Sequence, residues 1–509
     1  MLNFIKPSRL FAGNVLVLWA SWWLSVGSLS GESMGPKNVL IFFIDDLRPE
    51  LGSYGVDYIQ TPHMDALAAA GVLFERAYCQ QGVCAPSRIS MLTGQFPDTT
   101  GIYDLFTPLR SKHPDTMTMP RFFKNRGYFT ASYGKVYHHH TDDKESWSDL
   151  PVVPGAKYAD PETLRSIERR TEAAKAQGLT GLALWSVSQG PATEAFDVDD
   201  AGYRDGAVAE QVIASLRRHR DTPFFMGVGF AKPHLPFAAP QRYWDLYERD
   251  QFAVPDHTLP AGTPALAVTQ WNELRAYEGI PAEGPLTDDQ TRELKHGYAA
   301  SVSYADAQVG RVLTELDRLG LREQTIVVLW GDHGYKLGDY GLWCKHTNLE
   351  LDTRVPLIVS APGFPPGTRS SALVEIVDIF PTVAELTGGQ VPASCDGLSL
   401  TEVMRNPRKA LRPFALSQYP RGKLMGYSLR DERWRYTEWV DMESRQLVTQ
   451  ELYDHRETQT PTRNLAADPD HAEWVATLSR LLNVDQRLRQ MATMNNPPAA
   501  KIPDRTKNL

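Results

Sequence analysis

Continuous apolar runs of strand length alternate with amphipathic stretches of helix length through most of this 509-residue chain. A run that is apolar at every position is typical of a strand buried on both faces of a parallel sheet. The apolar runs cover residues 38–44, 128–133, 223–230, 325–330 and 355–360, and helical stretches cover 206–220 and 288–319. The alternation predicts an α/β sandwich in which helices flank a large mixed, mostly parallel central sheet.

The pattern changes towards the C-terminus, after two segments rich in Pro and Gly. Aromatic and β-branched runs at 427–438 and 446–454 predict a short antiparallel sheet there, and a helix near 471–482 is expected to pack on it. The predicted divisions of the chain are an N-terminal domain (36–385), a smaller C-terminal subdomain (386–494) and a disordered tail (495–509).

Residues 1–30 have the layout of a secretory signal peptide. Lys6 and Arg9 precede an apolar run at 15–24, and small residues follow up to Ser30, where cleavage is expected. The run is shorter than the ~20 residues that a membrane span requires, so no membrane association is expected after cleavage. Because the chain has no Asn-x-Ser/Thr sequence, a periplasmic or secreted bacterial setting is favoured over a lysosomal one.

Composition excludes several classes of protein. The net charge is −8 and no basic run occurs, so nucleic acid is not an expected partner and any anionic ligand needs local cations. The four cysteines, Cys79, Cys84, Cys344 and Cys395, are too few for a disulfide scaffold. Their pairing cannot be assigned from the sequence.

Cys84 lies in the segment Cys84-Ala-Pro-Ser-Arg88, which Leu-Thr-Gly94 follows. Proline is favoured at the first position of a helix, so Pro86 predicts that Cys84 lies at a helix N-terminus, where N–H groups attract anions. Arg88, one turn further on, adds a cation suited to an oxyanion. A lone buried cysteine is more often inert than reactive, so this segment alone leaves both interpretations open.

Acidic residues follow two of the predicted strands. Asp45 and Asp46 end the first run, and Asp332 and His333 end the run at 325–330. An isolated Asp-Asp pair is more often a turn or a helix cap, yet two buried carboxylates are costly without a cation. Functional groups collect at the carboxyl ends of parallel strands, and three carboxylates with a fourth polar group favour Ca²⁺ or Mg²⁺ over Zn²⁺.

Basic residues follow the other predicted strands. Lys135 and His138 come after the second run, His234 lies between two prolines after the third, and Lys345 comes about a dozen residues after the acidic pair of the fourth. Each has a structural alternative: a solvated loop for His138 and its two following histidines, a structural histidine for His234 and a solvated lysine for Lys345. If they converge, they could flank a nucleophile and an anion.

These motifs together resemble the type I sulfatases. The pattern Cys84-x-Pro-Ser-Arg88 with Leu-Thr-Gly94 resembles the signature of that family, although Gln95 stands where arginine is frequent. The resemblance extends from residue 38 to about 482. Similarity to the iduronate-2-sulfatase branch is carried by residues 134–138, 232–236, 332–338 and 343–345.

The resemblance implies an alkaline-phosphatase-like fold with a catalytic N-terminal domain. It implies that a maturation enzyme oxidises Cys84 to formylglycine, whose hydrate Arg88 and Lys135 would stabilise. His138 would be the base for its collapse, and His234 and Lys345 would bind the sulfate together with Lys135, one of the first two protonating the leaving oxygen. The implied ligands of a Ca²⁺ ion, or alternatively Mg²⁺, are Asp45, Asp46, Cys84, Asp332 and His333.

In the implied reaction one hydroxyl of the aldehyde hydrate attacks sulfur and the alcohol leaves. The other hydroxyl then loses its proton, and return to the aldehyde expels sulfate. The implied substrate is a sulfated carbohydrate, either a 2-O-sulfated uronic acid of heparan or dermatan sulfate or an algal polysaccharide. Residues that recognise the sugar are expected within 142–191 and 254–285, where the sequence shows no decisive pattern.

Two other functions remain alternatives. A phosphatase or phosphodiesterase of the related alkaline-phosphatase superfamily would share the fold and the aspartates at the strand ends. It would normally use serine or threonine and two zinc ions with more histidine ligands. A non-catalytic carbohydrate-binding homologue is the third option, which the presence of every expected polar group disfavours.

Overall fold

The computed structural model describes residues 38–138, 141–149, 152–269 and 273–494. The predicted signal peptide and the predicted disordered tail lie outside these residues, and the predicted domain boundary at residue 385 stays a prediction. Within the described part of the chain, no helix has both the length and the apolar character needed to cross a bilayer.

Five of the strands in the described chain coincide closely with the five predicted apolar runs. In chain order they are β1 (Asn38–Ile44), β2 (Val72–Tyr78), β3 (Phe129–Gly134), β4 (Thr193–Phe196), β5 (Phe224–Phe230), β6 (Phe237–Pro240), β7 (Thr325–Gly331), β8 (Lys336–Leu337), β9 (Trp343–Cys344), β10 (Arg354–Ser360), β11 (Thr368–Glu375), β12 (Ala415–Arg421), β13 (Leu424–Arg430), β14 (Trp434–Asp441) and β15 (Leu447–Asp454).

The helices lie mainly between strands of the central sheet, as the alternating pattern predicts. They are α1 (Pro62–Ala69), α2 (Cys84–Thr93), α3 (Pro97–Thr100), α4 (Leu109–Lys112), α5 (Met119–Asn125), α6 (Pro161–Ala176), α7 (Gly181–Val187), α8 (Arg204–Arg218), α9 (Gln241–Trp244), α10 (Asp288–Arg318), α11 (Glu350–Thr353), α12 (Ile379–Leu386), α13 (Thr401–Arg405) and α14 (Ala472–Met494).

The central sheet has seven strands in the order β11-β2-β10-β7-β1-β5-β3. β1 runs parallel to both of its neighbours, β5 and β7. β10 is antiparallel to β2 and to β7, whereas β11 is parallel to β2. The predicted mixed, mostly parallel sheet is therefore confirmed.

Both faces of this sheet are buried, which explains why its strands are apolar at every position. On β1, Leu40 and Phe42 pack in one core with side chains of α1, α8 and α10. Val39 and Ile41 point to the opposite face and pack in a second core with side chains of α2, α5 and α12. Helices thus cover both faces, and polar groups are left to the strand ends.

The C-terminal region contains the predicted antiparallel sheet, in the order β12-β13-β14-β15. Leu478 and Leu482 of α14 pack against Trp434 and Tyr436, so the helix covers this sheet as expected. The predicted run at 427–438 is not one strand, however. The Asp431 carboxylate accepts hydrogen bonds from the backbone N–H groups of residues 433 and 434, and this turn divides the run between β13 and β14.

Candidate active site

The two central strands bring acidic side chains to one edge of the sheet. Asp45 and Asp46 follow β1 directly, and Asp332 and His333 follow β7. The last residues of these parallel strands are paired with each other, so the four side chains meet and are fully buried. Asp46 adopts a left-handed backbone (φ 60°), and its N–H donates to Oδ1 of Asp332 over 3.0 Å.

Asp45, Asp46, Cys84 and His333 form a candidate metal centre. Each offers one ligand atom, and these atoms lie within 4.8 Å of one another. Adjacent buried carboxylates repel each other and lack solvation, so the group favours a bound cation. Asp332, the fifth ligand suggested by the sequence, lies beside this group of four with its Oδ2 3.6 Å from Nε2 of His333, and its role as a ligand stays a prediction.

His333 is oriented to present a lone pair to this group. Its Nδ1 lies 2.9 Å from the carbonyl oxygen of Gly334, which can only accept a hydrogen bond, so the proton is assigned to Nδ1. The other ring nitrogen, Nε2, is 3.2 Å from Sγ of Cys84 and 3.4 Å from Oδ1 of Asp46. Burial lowers the pKa of His333, which favours the neutral ring that a metal requires.

The two adjacent aspartates have opposite pKa shifts. Burial raises the pKa of Asp46 well above its usual value, and the charge of Asp45 adds to this effect although Lys345 opposes it. Burial would also raise the pKa of Asp45, but Lys135 and other nearby cations hold it well below its usual range. Asp46 therefore carries the charge that a divalent cation would stabilise most.

Asp332 acts as an acceptor for its neighbours. Its Oδ1 accepts the backbone N–H groups of Asp46 and His333, both over 3.0 Å. Its Oδ2 accepts a hydrogen bond from Nε of Arg88 over 2.9 Å. Asp332 thus fixes the backbone on which two of the candidate ligands are mounted.

Arg88 joins the two acidic strand ends. Its guanidinium is fully buried and also donates to Oδ1 of Asp45 (3.0 Å) and to the carbonyl oxygens of Lys135 and Val136. The sequence predicts that Arg88 stabilises the nucleophile. In the structure its N–H groups bind two carboxylates and the backbone of the turn after β3. Arg88 therefore positions other residues of the site.

Cys84 is the first residue of α2, with Val83 as the N-cap. The predicted start at Pro86 is two residues late, because proline is also accommodated within the first turn, where its missing N–H has no partner to lose. The Cys84 side chain is buried, and its Sγ lies 3.5 Å from Oδ1 of Asp45. The predicted placement of this thiol at a helix N-terminus is present in the structure.

Lys135 approaches the thiol from the end of β3. Its Nζ is ion-paired with Asp45 and lies 3.7 Å from Sγ of Cys84. Burial opposes the charge of Lys135, but Asp45 and Cys84 raise its pKa above the usual value. A Cβ on Gly134 would lie 2.1 Å from the carbonyl oxygen of Gly229, so only glycine allows the approach of strands that places this lysine.

Lys345 and His234 lie on the other side of Asp46. Nζ of Lys345 is 2.9 Å from Oδ1 of Asp46, and Nε2 of His234 is 3.9 Å from its Oδ2. Glu273 contacts both side chains, at 3.1 Å from Nζ of Lys345 and 3.2 Å from Nε2 of His234. Burial and the charge of Lys345 lower the pKa of His234 well below its usual value, although the charge of Glu273 acts in the opposite direction.

Glu273 was not identifiable from the sequence, because it is a single glutamate in a segment without a motif. Another acidic residue, Asp205, positions part of the site from outside it. Asp205 accepts the backbone N–H groups of Ala231 and Lys232, each over 2.8 Å, and so fixes the loop that carries His234. The only signal for Asp205 was its position directly before the helix predicted at 206–220.

The loop that carries Lys345 is held in an uncommon conformation. Cys344 and His346, on either side of it, have left-handed backbones with φ of 65° and 83°. Asp352 accepts the backbone N–H of Thr347 over 2.8 Å and is ion-paired with the buried Lys336. This anchoring is the feature that directs the Lys345 side chain to Asp46.

His138 lies close to the chain segment that follows α3. Its Nδ1 is 3.1 Å from the carbonyl oxygen of Leu105, and its side chain is largely buried. This contact assigns the proton to Nδ1. His139 and His140, which the sequence could not distinguish from it by type, lie outside the described residues.

The strand-end carboxylates, the flanking lysines and histidines and the α/β sandwich define a hydrolase of anionic esters. A family model described as "Sulfatase" matches residues 37–389, and one described as "N-sulphoglucosamine sulphohydrolase, C-terminal" matches residues 338–488. The chain belongs to the sulfatase family and is a sulfuric ester hydrolase.

One relative supports this membership by its sequence, and two solved structures share the fold. The chain is 36% identical to iduronate 2-sulfatase from Homo sapiens over 79% of its own length and 85% of that protein. Its fold is similar to a phosphonate monoester hydrolase from Silicibacter pomeroyi (TM-score 0.70, 24% identity, 89% of this chain and 95% of the other). It is also similar to a protein solved with its substrate D-glucosamine-2-N, 6-O-disulfate (TM-score 0.71, 21% identity, 92% and 100%).

Proposed function

We propose that this sulfatase removes the 2-O-sulfate of a uronic acid in a heparan- or dermatan-sulfate-like chain. The observation that carries the reaction is the position of Cys84, whose Sγ lies within the candidate metal group and 3.7 Å from Nζ of Lys135. The similarity to iduronate 2-sulfatase over most of both chains supports this substrate class.

The surroundings of Cys84 support its conversion to formylglycine. Burial raises the pKa of the thiol well above its usual value, with Asp45 adding to the effect, and a protonated thiol is a weak nucleophile. Sulfur is also a poor partner for the hard cation that carboxylates select. An oxygen-bearing residue at position 84 suits the site better on both counts.

The residues that would hold the cation are Asp45, Asp46, His333 and the converted residue 84. The carboxylates favour Ca²⁺, with Mg²⁺ as the alternative, and a bound cation would withdraw charge from the sulfate oxygens. Asp332 is assigned to holding Asp46 and His333 in place, because its Oδ1 accepts their backbone N–H groups.

Formylglycine supplies, as its hydrate, one hydroxyl that attacks sulfur and a second whose deprotonation allows sulfate to be expelled. Lys135 is assigned to stabilising charge at that residue, and His138 to accepting the proton. Lys345 and His234 are assigned to the sulfate and the leaving oxygen. Nδ1 of His234 lies 2.7 Å from the carbonyl oxygen of Leu235, and Nε2 lies beside Glu273, so both N–H groups of a protonated ring would have acceptors. A bound sulfate would also offset the charge of Lys345, which opposes protonation of this ring.

Conversion requires a maturation enzyme, and the proposal includes one. Cys84 is 2% exposed, so that enzyme must act before the chain closes over the thiol. We also propose that the protein is periplasmic or secreted, a setting that rests on the signal-peptide pattern of residues 1–30.

Mass spectrometry of the peptide that contains residue 84 tests the nucleophile. In active protein we expect that peptide to have lost sulfur and gained an aldehyde oxygen, and Cys84→Ala to abolish turnover. Cys395→Ser serves as the matched control, because that cysteine lies outside the site. Active enzyme with an entirely unmodified Cys84 would refute the proposed nucleophile.

A panel of defined substrates tests the reaction and the sugar. We expect turnover of 2-O-sulfated uronides, slower turnover of 6-O-sulfated glucosamine and of algal sulfated oligosaccharides, and little hydrolysis of matched phosphate esters. Preference for an algal oligosaccharide would retain the sulfatase and reject the glycosaminoglycan substrate. Preference for phosphate esters would reject both.

A further inference from the structure

Two cationic side chains near the active site have no carboxylate partner among the described residues. Lys157 precedes α6. Arg204 is the first residue of α8, and its backbone N–H donates a hydrogen bond to the carbonyl oxygen of residue 156, next to Lys157. Nζ of Lys157 donates to Oε1 of Gln189 over 2.8 Å, and its other two N–H donors have no partner in the described chain. Nε of Arg204 is buried and has no hydrogen-bond partner there either. Both side chains are half-buried, and cations that lose solvation without gaining an anion are destabilised, so this pair indicates a place for an anion.

The pair adjoins the proposed sulfate site. Burial lowers the pKa of Lys157 to about 8, and Arg204 and Lys135 add to this effect against the opposing charge of Glu273. Lys135 contacts the nucleophile and Glu273 contacts both proposed sulfate-binding cations. Lys157 is partly exposed, so a bound molecule can reach it.

A third polar group lies at the same place without a partner. Tyr277 is 2% exposed, and its hydroxyl makes no hydrogen bond in the described chain. Its ring centroid lies 5.6 Å from Nζ of Lys157. Tyr277 also follows Glu273 by one helical turn, and the charges of Glu273 and Lys345 both act on its hydroxyl, so Tyr277 lies near the proposed sulfate site as well as near Lys157. A sugar hydroxyl or an acidic oxygen would satisfy it.

We propose that Lys157, with Arg204 and Tyr277, forms a second anion subsite that binds an acidic group of the substrate other than the scissile sulfate. This inference rests on the proposed function and names the specificity of that same site. Two sources supply the same chemistry: the carboxylate of the sulfated uronic acid itself, or a sulfate on the adjacent sugar. Either would place an anion against cations that otherwise have none.

The test compares substrates that differ only in the second anion. The substrates are 4-methylumbelliferyl iduronide 2-sulfate, its carboxyl-reduced counterpart, and a carboxyl-reduced disaccharide 2-sulfate with and without a 6-sulfate on the neighbouring sugar. The variants are Lys157→Met and the charge-conserving Lys157→Arg. Lys175→Met is the matched control, since that lysine is exposed on α6 and pairs with Glu172.

For Lys157→Met we expect the ratio of kcat/KM with and without the second anion to fall roughly 10- to 100-fold, the range of a lost hydrogen bond to a charged group. Lys157→Arg is expected to recover most of that ratio, and Lys175→Met to leave it as in the wild type. A ratio that falls only in the uronide pair assigns the carboxylate, and one that falls only in the disaccharide pair assigns the neighbouring sulfate.

An unchanged ratio in both pairs, with equal losses on every substrate, would overturn the subsite and make Lys157 structural. If Lys157→Met does not fold, the same ratios measured for Arg204→Gln decide the matter. Failure of the proposed function is distinguishable, because the wild type would then turn over no sulfated uronide at all.

Discussion

Arg88 is the residue on which the geometry of the candidate metal centre depends most. Its guanidinium joins Asp45 to Asp332, the acidic ends of β1 and β7, and none of it reaches solvent. A planar fork can hold two carboxylates at fixed positions, which an ammonium cannot do. The order of the site therefore depends on a residue whose own contacts are with protein groups.

We predict that Arg88→Met lowers the free energy of unfolding by about 3–5 kcal/mol, because it leaves buried carboxylates without their partner. Denaturant titration measures this loss. Added Ca²⁺ should restore part of it, since a cation that binds the folded state stabilises that state. Arg88→Lys should lose less. Equal stability of Arg88→Met and the wild type would contradict the positioning role.

Single residues also show the limit of sequence analysis. Cys84, Lys135 and Lys345 stand in motifs, whereas Glu273 and Lys157 lie in segments without one. What distinguishes Glu273 is its contact with two cations from distant parts of the chain, and no local pattern records such a contact.

At the scale of elements, α8 and α10 cover one face of the central sheet and are joined by an ion-pair cluster. The Glu315 carboxylate of α10 accepts a hydrogen bond from Nε of Arg217 on α8 over 2.8 Å and another from Nη2 of Arg318 over 2.6 Å. Hydrogen bonds from the two arginines lower the pKa of Glu315 from 4.5 to about 2. Ionised Glu315 therefore stabilises the helix pair at neutral pH.

We predict that Glu315→Gln lowers the free energy of unfolding by about 1–2 kcal/mol at pH 7, a value reduced because both arginines are solvated. The stabilisation is complete above the unfolded pKa of 4.5 and is lost as pH falls through about 2. The difference between variant and wild type should therefore shrink over that interval. A difference that is constant with pH would contradict the ionic origin, and Glu172→Gln on α6 is the exposed control.

Two strands of the central sheet, β2 and β11, were not predicted from the sequence, and for the same reason. β2 carries Glu75 and Arg76 in its middle, and β11 begins with the polar residues 368–371. Both lie at or near an edge of the sheet, where side chains reach solvent and the apolar pattern is interrupted. The central strands were predicted almost to the residue because both of their faces are buried.

At the scale of the whole molecule, the C-terminal sheet is fastened to the central sheet by a buried cluster of charges. Glu350 is the first residue of α11. One of its carboxylate oxygens accepts hydrogen bonds from Nε of Arg430 over 3.0 Å and from Nη2 of Arg435 over 2.7 Å. Its other oxygen accepts the hydroxyl of Tyr78 on β2 over 3.0 Å. The cluster lies a few residues after Lys345, so the same segment serves the site and the junction.

We predict that Glu350→Ala lowers the free energy of unfolding by about 3–5 kcal/mol, because two buried guanidinium groups lose their counter-charge. Limited proteolysis should also cleave the C-terminal sheet faster than in the wild type. Glu432→Ala is the control, since that glutamate is 83% exposed and pairs with Arg76 over 3.6 Å. Its effect should stay within about 1 kcal/mol. Equal effects of the two changes would contradict the role of burial.

The sequence by itself determined the α/β class, the central strands and the nature of the residues at their ends. It could do so because burial on both faces imposes an apolar pattern that is read locally, and because reactive residues stand directly after it. Only the tertiary structure decided which of these residues meet: that four candidate ligands converge while Asp332 holds them, that Arg88 joins carboxylates, and that Glu273 lies between Lys345 and His234. Those contacts depend on strand order and loop path, which join residues far apart in the chain and leave no local pattern.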